Sequence, residues 1–233
     1  MRKVIALLAL GVLAASSASA ALPWTEHFNY LDGNLTANPG WVTHSGTGTD
    51  VQVLNGEAVA TSTAAPDDNY QFRTQEEATA TDVLYACFQL KISGTQTTSV
   101  YFAHFINNGY YYAARVFAGV VDANTYKLGI NTTATAPTNW SAPLNKDEYH
   151  TIVIKYDAVS GVSTMWIDPV DESSPSLVGE ATYPGTLISG FAIRQAAGFG
   201  IATIDDVTVS TSFCLGVVPT TENSWSGVKS LYR

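Results

Sequence analysis

The sequence is poor in cysteine, in cations and, past its first twenty residues, in long apolar runs. It holds 11 Lys plus Arg against 20 Asp plus Glu, a net charge of −9. So few cations neutralise few phosphates, which argues against nucleic acid as a partner. The same shortage argues against polyanionic polysaccharide. Charged residues make up only 13% of the chain. The surface must therefore be polar through Ser, Thr, Asn and Tyr rather than through ion pairs.

The two cysteines, Cys87 and Cys214, are too few for a disulfide framework. Neither sits in the Cys-x-x-Cys or Cys/His pattern of a zinc site. Two outcomes stay open for them. One is a single bridge, permitted in an oxidising compartment, that ties an interior strand to the segment just after the last strand. The other is a pair of buried thiols. After residue 20 nothing approaches the roughly 20 apolar residues that span a bilayer, so no membrane span is expected. No window there keeps a helical period either.

The N-terminus is different. Arg2 and Lys3 precede an apolar run over 4–15, and the small Ser16-Ser17-Ala18-Ser19-Ala20 follows. This is the pattern of a secretory signal peptide over 1–20, cleaved before Ala21. The alternative, a membrane anchor, needs a longer run. Export makes the chain secreted or cell-surface, and loss of Arg2 and Lys3 leaves the remainder two units more negative.

Nearly all that follows has strand character. Runs rich in β-branched and aromatic residues stand at 83–92, 100–106, 110–117, 126–130, 151–157, 162–168, 191–195 and 201–209. Asn107-Asn108-Gly109 and Ala158-Val159-Ser160-Gly161 join two pairs as hairpins. About a dozen strands without a break in composition predict one antiparallel β-sandwich over 21–211. Residues 212–233 read as a linker and tail, in which Trp225, Val228 and Leu231 form one apolar stripe on a short helix.

The order of several short motifs is specific. Phe28-Asn29-Tyr30-Leu31-Asp32-Gly33-Asn34-Leu35 and Gly40-Trp41 come first. Val100-Tyr101-Phe102-Ala103-His104-Phe105 and Ala114-Arg115-Val116-Phe117 follow. Then come Tyr149-His150-Thr151-Ile152-Val153-Ile154-Lys155-Tyr156-Asp157 and Met165-Trp166-Ile167-Asp168-Pro169, and last Ile193-Arg194-Gln195 and Ile204-Asp205-Asp206-Val207-Thr208-Val209. Over nearly the whole length after the signal, the chain resembles bacterial secreted domains of the concanavalin A-like lectin/glucanase superfamily, the laminin-G-like jelly rolls. The resemblance implies an all-β jelly roll in two sheets. It also implies that the 225–233 tail is a sorting signal, read by secretion or sorting machinery. It implies a structural calcium held by Glu26, Asp205 and Asp206, because first and last strands lie side by side in a closed jelly roll and calcium prefers carboxylate oxygens. The competing role for Asp205-Asp206 is bonding to turn backbone. Asp32, a further oxygen donor, precedes Gly33 and is first a turn signal.

Glucanases on this fold carry paired carboxylates on one concave strand. Glu-x-Asp-x-Glu and Glu-x-Asp-x-x-Glu are both absent. Asp168, Asp171 and Glu172 surround prolines in a solvated loop, and Glu76-Glu77 lies in a polar segment. The Arg-Thr/Ser-Glu and Gln-Ile/Val-His strands of alginate-lyase-type enzymes are also absent, Arg73-Thr74-Gln75-Glu76 being only a partial echo. An enzyme is therefore not expected, although an atypical acid pair stays open as an alternative.

A sugar ring offers an apolar C–H face to an exposed aromatic. Candidates for such contact are Tyr70, Tyr110, Tyr111, Tyr112 and Trp140, with Arg115 beside them. Period two puts Tyr110 and Tyr112 on one face and Tyr111 on the other. Trp140 falls in a loop, whereas Trp41 and Trp166 belong to the core. His27, His44, His104 and His150 share no spacing. Sequons stand at Asn34, Asn131 and Asn139. The function expected is a secreted, non-catalytic domain for extracellular or cell-surface interaction with a neutral-glycan partner. A structural protein without a small ligand is the further alternative.

Overall fold

The strand β7 (Val83–Ser93) shows the construction rule of the molecule. Leu84, Ala86, Phe88, Leu90 and Ile92 point into the main core, while Tyr85 and Cys87 join a second cluster on the opposite face. That alternation is what a strand between a core and a surface requires. The computed structural model describes residues 22–46, 50–63, 68–72, 83–107, 111–180 and 183–214. The expected signal peptide, 1–20, and the tail from residue 215 lie outside them.

The other strands are β1 (Trp24–Glu26), β2 (Gly33–Asn34), β3 (Trp41–Ser45), β4 (Gln52–Leu54), β5 (Glu57–Thr61), β6 (Asp68–Phe72), β8 (Val100–Ile106), β9 (Tyr112–Val120), β10 (Thr125–Asn131), β11 (Leu144–Asn145), β12 (Tyr149–Asp157), β13 (Val162–Ile167), β14 (Ser176–Val178), β15 (Gly190–Arg194) and β16 (Ile201–Ser210). They form two antiparallel sheets. One has the order β14-β13-β12-β7-β16-β5-β4-β2, with β1 also on β16; the other runs β11-β10-β9-β8-β15-β6-β3. One short 3-10 turn, Leu35–Ala37, interrupts the strands. The expected all-β, two-sheet jelly roll is what the chain forms. Short strands such as β2, β4, β11 and β14 carry the count past a dozen.

The two inner faces meet through aromatic side chains. Phe88 of one sheet lies 5.7 Å from Phe191 of the other, centroid to centroid, an arrangement that aromatic pairs favour. Trp41 is buried in the same core, as expected. Both anticipated hairpins form, β8 with β9 and β12 with β13. At the second turn Gly161 has φ +71°, and a Cβ there would stand 2.6 Å from the Pro184 nitrogen. Glycine meets both demands.

Trp166 departs from expectation. It is buried, yet outside the space between the sheets, where it joins Tyr85, Cys87 and Val153 on the outer face of the nine-stranded sheet. A strap made of the residues after β16 covers it. Phe213 meets Trp166 edge-on at 5.2 Å and Tyr85 at 5.8 Å. Cys214 is joined to Cys87 by a disulfide with Cα atoms 6.1 Å apart. The docked segment thus continues past Thr211 to Cys214, whereas a linker was expected from residue 212.

The bridge closes a sequence separation of 127 residues, so it restricts the unfolded chain strongly. Reduction should cost about 4 kcal/mol of stability, read by urea unfolding with and without reductant. Trp fluorescence should shift to the red as Phe213 leaves Trp166. An unchanged transition would show that the thiols are unpaired.

Candidate functional site

The outer face of the seven-stranded sheet gathers aromatic and cationic side chains, and a break in register puts them there. Ala103 pairs with Val116 and Phe105 with Ala113, so β9 carries one extra residue between the two pairs. Ala114 sits in that bulge at φ +48°. Bulges re-aim the side chains that follow them. Ala113, Ala114, Val116 and Ala118 line the core, while Arg115 and Phe117 turn to the outer face with Tyr112. A compensating irregularity in β8, where Tyr101 pairs with Phe117, restores the ladder.

Tyr101 and Phe117 then meet edge-on at 5.6 Å. The His104 ring lies 4.4 Å from Tyr112 and 5.6 Å from Tyr101. On β3, His44 Nδ1 is 3.0 Å from the Tyr112 hydroxyl. The Arg115 guanidinium lies over both tyrosine rings, 4.8 Å from Tyr112 and 5.2 Å from Tyr101. Arg194 lies 4.3 Å from the Tyr101 ring. Each distance falls within the range of a cation–π contact. Phe117, His104 and Arg115 are buried, whereas Tyr101, Tyr112, His44 and Arg194 are half-buried. The result is a platform with a buried base and a partly open aromatic top.

Trp140 extends this platform. Its loop is tied to β10 by Ser141 N–H to the Leu128 carbonyl (2.8 Å) and by Leu128 N–H to Ser141 Oγ (2.9 Å). The indole lies on two glycines. A Cβ on Gly119 would stand 2.6 Å from the ring, and one on Gly129 would stand 3.0 Å from it. Gly129 is in register with Phe117, and Gly119 with Lys127. The Lys127 ammonium lies 4.7 Å from the Trp140 ring. The glycine pair was the signal that sequence reasoning passed over: two glycines diagonally placed on one face of adjacent strands leave room for a large side chain from elsewhere.

Of the expected ligand-contact residues, the structure brings Tyr112 and Arg115 together and sets Trp140 on the same face. Tyr110 lies outside the described residues. Tyr111 precedes β9 and is 63% exposed. Tyr70 lies on β6, in register with Val42 and Ala192. Tyr101 and His104 were missed because the two irregularities spoil period two in β8 and β9; His44 on β3 and Arg194 on β15 were missed because no sequence period links strands so far apart in the chain.

The calcium expectation meets different chemistry. First and last strands do pair, Glu26 opposite Val207. However, the Glu26 carboxylate is buried and already accepts three hydrogen bonds, from Phe28 N–H (2.8 Å), the Tyr30 hydroxyl (2.8 Å) and Trp41 Nε1–H (3.0 Å). Burial and this carboxylate push the Tyr30 phenol well above its usual range. Asp205 accepts from Asp206 N–H, and Asp206 is bonded to His27 Nδ1 at 2.7 Å. Among the described residues no group of three or more His, Cys, Asp or Glu is placed to hold a metal. Glu26, Asp205 and Asp206 therefore do not fit a shared calcium site. Asp205-Asp206 forms a bulge, with Asp206 at φ +52°, and bonds local backbone.

The acids considered for hydrolysis lie elsewhere. Asp168 accepts from Thr151 N–H and is bonded to His150 Nδ1, both on β12. Hydrogen bonds from Ser173 hold the Asp171 carboxyl below its usual range. The Tyr85 hydroxyl and then Lys155 do the same for Glu172. A general acid needs the opposite shift. None of the three reaches the aromatic platform. Glu76-Glu77 and Arg73 lie outside the described residues. Asn131 is buried and bonded to the Thr135 carbonyl, so its sequon is closed to modification in the folded state.

No family model and no curated protein matches the chain. Among solved structures it is similar to the lectin UEA-II complexed with galactose, with a TM-score of 0.52 at 9% identity over 81% of this chain and 98% of the lectin. It is also similar to a sialidase, with a TM-score of 0.51 at 8% identity. That match covers 80% of this chain and spans only 19% of the sialidase. At such identities the likeness establishes the lectin-like β-sandwich fold.

Glu26→Ala would leave Phe28 N–H, Tyr30 OH and Trp41 Nε1–H without their acceptor. It should cost at least about 3 kcal/mol in a denaturant melt. A chelator should leave the wild-type midpoint unchanged. A chelator-dependent midpoint would restore a metal at this seam.

Proposed function

We infer that this chain is a secreted, non-catalytic glycan-binding domain, and that the outer face of its seven-stranded sheet is the sugar platform. The observation that carries this is the convergence of Tyr101, Tyr112 and Trp140 on one face, with Arg115 and His44 beside them. A pyranose ring stacks its C–H face on such rings, and nearby polar groups fix its orientation. The fold agrees: a lectin of the same architecture is complexed with galactose. Trp140 needs no rearrangement to serve, since its glycine bed already orients the indole.

Export is part of the same proposal. The segment 1–20 has the form of a signal peptide, and the Cys87–Cys214 bridge suits an oxidising compartment. The segment 225–233 would be the part that sorting machinery reads. Cleavage chemistry is not favoured, because hydrogen bonds hold the Asp171 and Glu172 carboxyls below rather than above their usual range.

The test is a glycan array with the full chain, followed by calorimetry on the hits. Tyr112→Ala and Trp140→Ala should each weaken binding by at least about tenfold. Gly119→Ala should weaken it too, since it displaces the indole without removing it. Binding that ignores all three variants, or no binding to any glycan, would overturn the platform and leave a structural role without a small ligand.

A further inference from the structure

Arg115 is a cation in an unusual setting. Only 8% of the residue is exposed. Its Nη1 donates to the Thr132 carbonyl, and its Nε is buried with no partner. Among the described residues no carboxylate pairs with it. Burial pushes the guanidinium below its usual range, an effect that the Tyr101, Tyr112 and Tyr183 phenols only partly offset. Buried charges are ordinarily paired. Two π faces, one carbonyl and a hydrogen bond with Tyr101 offset only part of the cost of burying a guanidinium.

A second cation joins it. Arg194 lies over the same Tyr101 ring and donates from Nη1 to the Tyr101 carbonyl at 3.3 Å. Both arginines among the described residues therefore converge on one tyrosine, in a chain whose net charge is −9. Such a concentration of scarce positive charge is what an anion would meet. A guanidinium edge and a carboxylate match as two parallel hydrogen bonds, and Thr132 occupies only one Arg115 nitrogen.

The geometry points to a carboxylate subsite at Arg115 inside the platform, one that selects a single acidic sugar within an otherwise neutral glycan. This rests on the glycan-binding function proposed above. One buried guanidinium matches one carboxylate, whereas the acidic chain as a whole repels a polymer of them.

The test titrates the full chain with two matched pairs of methyl glycosides, galactoside with galacturonoside and glucoside with glucuronoside. In at least one pair the acidic member should bind about tenfold tighter or better. Arg115→Lys, which keeps the charge but loses the planar edge, should erase that preference. Should the variant fail to fold, the Arg115 Nε–Hε NMR signal of wild-type protein gives the same readout, and it should shift with the acidic member alone. Equal affinity within both pairs, or an unmoved Nε–Hε signal, overturns the subsite and leaves the neutral platform standing. No binding of any of the four overturns both.

Discussion

One extra residue in β9 decides which side chains this protein shows to its surroundings. Strict alternation from Tyr112 would send Ala114 and Val116 outward and Arg115 and Phe117 into the core. A guanidinium there would enter a core of apolar side chains. The bulge at Ala114 reverses the phase. Val116 then fills the core, and Arg115 rises between two tyrosine rings. The positive φ at a non-glycine residue is strained. Such a conformation persists where the surrounding structure over-determines it. The platform of Tyr101, Tyr112, His104 and Phe117 follows from this displacement.

The remainder of the sandwich holds that platform still. The seam between first and last strands is locked by one buried carboxylate, Glu26, which satisfies a backbone amide, a phenol and an indole at once. The opposite sheet has its outer face closed by a different device. Phe213 covers Tyr85 and Trp166, and the Cys87–Cys214 bridge pins it. Glu172 ties Tyr85 and Lys155 down beside it. The seven-stranded face is the one that gathers Tyr101, Tyr112 and Trp140 together with cationic side chains.

The long strands were legible because their alternation is strong; β7 and β12 can be read directly from their apolar positions. The lectin-like sandwich was legible for the same reason. Short strands such as β2 and β11 hold two residues each, and no period can be read from two residues. Tyr112, Arg115 and Trp140 were recognisable as chemistry, but their neighbours were not. Tyr101 and His104 share a face only because β8 and β9 carry offsetting irregularities, which period two does not anticipate. Glu26 was recognised as important, and the structure gives it three hydrogen-bond donors at the seam. An early buried acid near a late acid pair suggests a cation, and only the three donors around it reveal that its charge is already satisfied. Trp166 was rightly placed out of solvent, yet its cover comes from a strap that depends on a disulfide.

Chemical-shift mapping of the full chain tests the central claim most directly. A galactoside titrated into labelled protein should move the signals of Tyr101, Tyr112, Trp140 and the Arg115 side chain, leaving the nine-stranded face still. Shifts centred on Tyr85, Trp166 and Lys155, or no saturable shifts at all, would contradict the assignment of the seven-stranded face as the glycan platform.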